Sequence, residues 1–407
     1  MTKPINKLQI NNGLILDQNN DPVYLRGIAL GGWLMIEGYM LAGPNIAEHI
    51  FKEKFIKKFG TKELLSFMDA WRKSFITESD IETIASWGCT CIRIPFNYRL
   101  ICCEETFKID EKGISFLDNV IKWCEKYSIY CILDMHAAPG SQNHDWHSDS
   151  NGKCELFENK EYWDKFLLLW DHLSKRYKDK DIIAGYDVLN EPVVPQNKEP
   201  IVKKLYEDVI NIIRKNNDNH IIFIEGNQWS QRIEFLTEIK GKNICYSTHF
   251  YEPLHYTFNF IRELTYPGIV EGEKWDIKKI QDRTSDYYNS ITKKKTPIYV
   301  GEFGINARGD HYGETNWVKD VLTVFDQNDY HWTYWTYKSM ATHAFPDGIF
   351  RNLNNPPWVK REGPVYGMDN ILDHWKTSKN EIIDSWKTKD FTLNKPLQRI
   401  ISDFIKP

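Results

Sequence analysis

Six apolar runs of this chain end in residues that can carry charge, move protons or present a flat face. These are Arg93 in IRIPF, His136 in LDMH, the Asn190-Glu191 pair in LNEP, His249 and Tyr251 in HFY, Glu302 in VGEF and Trp335 in YWTY. An amide or a carboxylate closing a buried run must meet water, a partner or a ligand. Either glutamate alone reads as a salt-bridge partner or a helix cap. Both together, with an arginine, histidines, a tyrosine and a tryptophan at the companion ends, read as a working pair.

Cleavage of a glycosidic bond needs two carboxyl groups, one protonated to help the leaving oxygen depart and one ionised at the anomeric carbon. They must therefore sit in different surroundings. Tyr251 can donate its hydroxyl to an ionised Glu302, and His249, two residues earlier on the same strand face, can steer the acid's proton. Arg93 close to Glu302 would keep that carboxylate ionised. Asn190 suits a sugar 2-hydroxyl, a contact that strengthens in an oxocarbenium-like transition state. Trp335 offers a floor for a pyranose ring.

The elements that carry these ends are short and β-branched: residues 24–29, 91–95, 130–135, 183–189, 221–225, 244–248, 298–301 and 332–336. Most of the intervals have helical periodicity, as in 79–87, 114–127, 162–177, 203–215, 278–292 and 315–326, with Ser79 as the expected N-cap of the first. Eight strands alternating with helices predict an α/β fold of the (β/α)8, or TIM barrel, type, one domain over residues 1–407, with its chemistry at the C-terminal strand ends. No GxGxxG follows the first strand, which removes dinucleotide binding. Before it, LQINNGLILDQNN contains an Asn-Gly turn and predicts a β-hairpin plugging the lower end. After residue 338 the Pro-, Asn- and Gly-rich stretch predicts a long loop on the C-terminal face, followed by helical segments to the C-terminus. Asp134 and Asp187, inside strands, read as structural carboxylates paired within the barrel.

A net charge of -4 provides no basic field, so nucleic acid is not an expected partner. No run is long and apolar enough to span a membrane, and the first residues contain no signal-peptide pattern. Eight cysteines at 89, 91, 102, 103, 124, 131, 154 and 245 show no zinc-site spacing. They read as free thiols, which predicts a cytoplasmic protein. His144, Asp145 and His147 cluster on one loop with Trp146, and this reads as the polar wall of a sugar pocket, with no metal and no cofactor expected. An aromatic content of 14% suits both a core and a carbohydrate cleft.

These motifs resemble glycoside hydrolase family 5, whose pattern is an Arg on strand two, a His after strand three, Asn-Glu on strand four, His-x-Tyr on strand six, Glu on strand seven and Trp on strand eight. The chain supplies each of them, and the likeness runs from Leu25 to Lys338. It implies a retaining β-glycosidase with Glu191 as acid/base and Glu302 as nucleophile, their carboxyl groups about 5 to 5.5 Å apart. RGIALGGWLMIEGY is similar to a stretch of the exo-β-1,3-glucanase branch, and GSQNHDW to its GSQN loop, which places Trp33, Glu37, Asn143 and Trp146 among the substrate-binding or supporting residues. The expected substrate is a β-glucoside or short β-glucan attacked from the non-reducing end. An endo-β-glucanase, a β-mannosidase, a glycolipid glucosidase with an aromatic loop at 345–358 for its aglycone, and a sugar-binding protein without catalysis are the alternatives. The sequence leaves monomer or dimer open.

Overall fold

Alternation along each strand decides what fills the barrel, because residues two apart share a face. The structure, a computed structural model, describes residues 5–41, 44–104, 106–292, 296–340, 344–352 and 368–405. Its eight parallel strands are β1 (Arg26–Ala29), β2 (Cys91–Asn97), β3 (Tyr130–Ala137), β4 (Ile183–Asp187), β5 (Ile221–Glu225), β6 (Ile244–Phe250), β7 (Ile298–Phe303) and β8 (His331–Tyr334). They close into a barrel in sequential order. Each expected strand is present, with boundaries moved by no more than two residues.

The lower barrel is apolar, packed from Cys91, Ile132, Ala184, Ile221, Phe223, Cys245 and Tyr299. Two residues on from several of these, the wall turns polar: Arg93 follows Cys91, Asp134 follows Ile132, and Glu225 follows Phe223. On β6 Cys245 is followed by Ser247 and His249, all buried. The expected hairpin forms from Gln9–Asn11 and Leu14–Leu16, and its Leu8 and Ile15 pack into this lower core. No cysteine among the described residues is in a disulfide, and Cys91, Cys131 and Cys245 are wholly buried as small apolar groups.

Around the strands the helices form the outer ring. Three of them, Glu48–Phe59, Thr61–Ser74 and Glu78–Ser86, fill the interval from β1 to β2, where the sequence pattern had singled out only the third. That third helix is capped by Thr77 and not by Ser79: the Asp80 carboxylate accepts the Thr77 N–H at 2.7 Å in a capping box. Pro200 lies in the first turn of Glu199–Lys215, where its missing N–H costs nothing. Between β5 and β6 only the one-turn segments Asn227–Ser230 and Glu234–Glu238 stand in for a helix.

After β8 the described residues include short strands where only a loop was expected, and the helical segments expected beyond it are present. Lys338–Met340, Phe350–Asn352 and Thr392–Leu393 pair into a small sheet, and the helices Met368–Ser385 and Lys395–Ile405 complete the ring. The expected aromatic loop falls outside the described residues beyond residue 352. No helix among the described residues is long and apolar enough to cross a membrane.

Candidate active site

Arg93 stands at the centre of the upper barrel, fully buried, with its guanidinium shared among five groups from four strand ends. Nε donates to Asp187 Oδ2 at 3.0 Å and Nη1 to Glu302 Oε1 at 2.6 Å. Nη2 reaches Asn190 Oδ1 at 2.9 Å, Glu225 Oε1 at 3.0 Å and Asp134 Oδ2 at 3.1 Å. A buried guanidinium without such partners would carry a large desolvation cost.

Glu302 arrives by a break in the alternation. The register of β7 against β6 shifts between Val300 and Glu302, so that Glu302 pairs with His249 and turns inward. Gly301 makes this possible, since a Cβ there would lie 3.1 Å from both His249 Nε2 and Ser247 Oγ. Tyr251 donates its hydroxyl to Glu302 Oε2 at 2.8 Å, so each oxygen of this carboxylate has a donor of its own.

Glu191 has the left-handed φ of 46°, a conformation that a non-glycine residue holds only at a cost of about 1–2 kcal/mol. Its N–H donates to Glu225 Oε2 at 2.7 Å, and its carbonyl accepts from Asn143 Nδ2 at 2.8 Å. Those two bonds fix the backbone, and they explain how a polar pair can end a strand ahead of Pro192. His249 Nδ1 lies 2.6 Å from Glu191 Oε1, and His147 Nδ1 lies 3.4 Å from Glu191 Oε2. An oxygen of Glu191, an oxygen of Glu302 and a ring nitrogen of His249 all lie within 4.8 Å of one another. Inverting pairs stand about 6.5–9.5 Å apart to admit a water, so this spacing is that of a retaining pair.

The pair forms the base of a cavity of about 430 Å³. Glu37, Tyr39, His136, Trp146, His147 and Trp335 line it as well. Trp335 donates its indole N–H to Tyr39 Oη at 2.7 Å and lies parallel to the His136 ring at 5.4 Å. His136 is held by Asp134 Oδ2 at 2.8 Å. Asn190 Nδ2 and Glu37 Oε1 belong to the buried atoms without a hydrogen-bond partner among the described residues.

Charge in this space is balanced. Burial drives Glu37 and Asp187 well above the carboxylate range and Asp134 up to about 8. Burial opposes ionisation of Glu225 too, but His249, Arg93 and the Glu191 N–H outweigh it and bring Glu225 down to about 2. Burial disfavours the His249 cation, yet the Glu225 and Glu302 charges and the bond to Glu191 lift it well above the imidazole range. Glu191 is likewise raised by burial and lowered further by His249 and His147, ending below its ordinary value. Three cations, Arg93, His249 and His147, thereby face the carboxylates of Glu225 and Glu191.

Trp33 reads differently in space than in sequence, and Asn143 takes the supporting part of its expected role. Trp33 lines no part of the cavity: its ring stacks on Trp123, its N–H donates to the Arg72 carbonyl at 2.8 Å, and it is core between β1 and the helix layer. Asn143 supports the Glu191 backbone from a fully buried position. Glu225 is the residue that sequence reasoning missed, although it is the last residue of β5 and the strand-end rule points to it. His144 is exposed, away from the cavity, and Asp145 and His147 stay on its wall.

The model of the family described as Cellulase (glycosyl hydrolase family 5) matches residues 52–341. The chain is 28% identical to a Beta-xylosidase of Phanerodontia chrysosporium over 98% of this chain and 83% of that one. It is 29% identical to Endoglucanase C of Acetivibrio thermocellus over 66% and 85%. To Probable glucan 1,3-beta-glucosidase A of Emericella nidulans it is 28% identical over 69% and 66%. The solved endoglucanase Cel5A of Thermotoga maritima superposes with a TM-score of 0.60 at 20% identity, over 92% of this chain and 96% of that chain.

The electrostatics of the wall make a test. Burial opposes the His147 charge, but Asp145, Glu191 and Glu37 push it up to about 9 from 6.5. A histidine raised on folding contributes stability that is complete below its unfolded value and is lost as pH rises through its folded one. We expect the urea midpoint of the native protein to fall more steeply than that of His147→Gln between about pH 7 and 10. Parallel curves would show that His147 is neutral in the folded protein.

Proposed function

Since the chain belongs to glycosyl hydrolase family 5, and is by that membership a retaining glycoside hydrolase, we propose that it is a β-glucosidase releasing single sugars from the non-reducing end. The observation that carries the reading is the pair Glu191 and Glu302, within 4.8 Å of each other through their oxygens at the base of a 430 Å³ cavity. That volume lies near the low end for small-molecule sites, about 300–1,000 Å³, and suits one sugar with a short aglycone better than a polymer.

Glu302 is the nucleophile. An oxygen of Glu302 bonds to the anomeric carbon as the glycosidic bond breaks, and Glu191 protonates the departing oxygen. The proton is held on the Glu191–His249 pair, whose atoms lie 2.6 Å apart. Water then attacks the glycosyl ester, gives its proton to the same pair and restores the Glu302 carboxylate. Arg93 and Tyr251 hold Glu302 in the attacking direction, and both leave ester formation to a single aligned carboxylate. Glu37 Oε1, on the cavity lining, and Asn190 Nδ2, next in sequence to Glu191, both lack a hydrogen-bond partner among the described residues and would bind sugar hydroxyls, with Trp335, Tyr39 and Trp146 lining the same cavity. The buried cysteine thiols support a cytoplasmic setting and hence small substrates.

We expect Glu302→Gly to lose on the order of 10,000-fold or more in turnover, with azide restoring part of it as a glycosyl azide. Glu191→Ala should lose about 100- to 10,000-fold on methyl β-glucoside and far less on 2,4-dinitrophenyl β-glucoside, whose leaving group needs no acid. Equal losses on the two substrates would remove Glu191 from the acid's role.

The mode of action has its own measurement. On cellotetraose and laminaritetraose, with products resolved by chain length, we expect glucose and the trisaccharide as first products of whichever linkage is cleaved. A disaccharide as the first main product would make the enzyme endo-acting.

A further inference from the structure

The cavity has two unlike ends. Its base is polar and buried, with Glu37, His136, Glu191 and Glu302 all less than a tenth exposed. Its mouth is apolar and open: Trp229, Leu254 and Phe260 are 42%, 44% and 47% exposed, and all three line the same cavity. Phe258 and Phe345 join the two ends. Phe258 meets Tyr251 at 5.1 Å and Phe260 at 5.5 Å, and Phe260 meets Phe345 at 5.6 Å. An unbroken wall of rings thus runs from the tyrosine on Glu302 to the rim.

Trp229 is held in place by its surroundings. Gln228, Trp229 and Ser230 have φ values of 53°, 53° and 60°, three successive non-glycine residues in the left-handed region. Such backbone persists only where neighbours over-determine it, and it concentrates at working sites. Here Ser230 donates its hydroxyl to the Ser247 carbonyl at 3.1 Å and accepts at its own carbonyl from Thr248 Oγ1 at 2.6 Å. Asn227 and Arg232 exchange backbone bonds across the turn. The Trp229 indole N–H donates to Asp145 Oδ2 at 2.7 Å, which fixes the ring and engages the acid nearest the mouth. A large apolar side chain is thereby kept in water, at the entrance of a catalytic cavity, by a strained turn.

A second sugar beyond the bond to be cleaved would need partners for its hydroxyl groups, and buried hydroxyls left unpaired are costly. Among the described residues lining the mouth, the uncharged polar side chain of Gln231 is set among Trp229, Leu254, Phe258, Phe260 and Pro346. We propose that this mouth is an aglycone subsite for an apolar alkyl or aryl group, with Trp229 as its specificity-determining platform. The inference rests on the glucosidase reading above and names the substrate class of that site.

Linear alkyl β-glucosides test it, because their leaving groups are chemically alike and only the apolar surface grows. With methyl, butyl, hexyl and octyl glucosides below micelle-forming concentrations, we expect kcat/KM of the native protein to rise on the order of 10-fold or more from methyl to octyl. Each methylene could contribute up to about 4-fold if it were fully buried. Cellobiose and laminaribiose should fall below octyl glucoside. Phe260→Ser, at a half-exposed ring of the mouth, and Trp229→Ala should each flatten the chain-length dependence. A flat series in the native protein, or a disaccharide preferred over octyl glucoside, would overturn the apolar subsite and leave the glucosidase reading standing. Absence of turnover on every β-glucoside in the set would overturn both. Turnover of octyl glucoside alone, against turnover of a glucosyl lipid in phosphatidylcholine vesicles as well, separates a soluble apolar glycoside from a membrane-borne one, and either supports the subsite.

Discussion

The buried guanidinium of Arg93 is the interaction on which the upper half of the barrel depends. A cation with no exposed surface is tolerable only if acceptors and opposite charge surround it, and β3, β4, β5 and β7 deliver the carboxyl groups of Asp134, Asp187, Glu225 and Glu302 to it at 2.6 to 3.1 Å. Replacing one side of such a cluster leaves the other charged and unpaired, typically costing about 3–5 kcal/mol. Substrate chemistry and fold integrity therefore share one network. A group that holds Glu302 in aim also ties four strands at the level where the reaction occurs.

From Arg93 outward, the remaining features are means of bringing side chains to it against local preference. The register shift on β7 turns Glu302 inward where strict alternation would turn it away, and Gly301 keeps the space beside His249 clear. Glu191 pays for a left-handed backbone with bonds to Glu225 and Asn143. His249 then links the two halves, one ring nitrogen on Glu191 and the other 3.3 Å from Glu225. Glu225 is thus the quiet partner of three groups: it meets Arg93, His249 and the Glu191 amide.

How much of this could be read in the chain follows from the physics of each element. Strand ends were legible because a polar residue closing an apolar run has few places to go, and the family pattern that the chain resembles marks the same positions. Glu225 escaped because a single carboxylate closing IIFIE, with no companion polar residue beside it, reads as a solvated strand end although the strand-end rule points to it. Trp33 was misassigned because nearness to Glu37 in sequence does not say which face a side chain takes; its ring turns outward onto Trp123. The aromatic mouth was largely illegible. Trp229 and Phe260 lie on irregular segments without periodicity, and a left-handed turn at Gln228–Ser230 contains no glycine to announce it. The small sheet at residues 338–352 was hidden for the same reason, among turn-forming residues.

The stereochemistry of the first product tests the central claim most directly. Following p-nitrophenyl β-glucoside hydrolysis by proton NMR in deuterated buffer, before mutarotation, the account predicts that β-glucose appears first and the α-anomer only later, as two displacements at one carbon require. Initial α-glucose would mean a single displacement by water, and Glu191 and Glu302 could not then be the acid/base and nucleophile of a covalent mechanism.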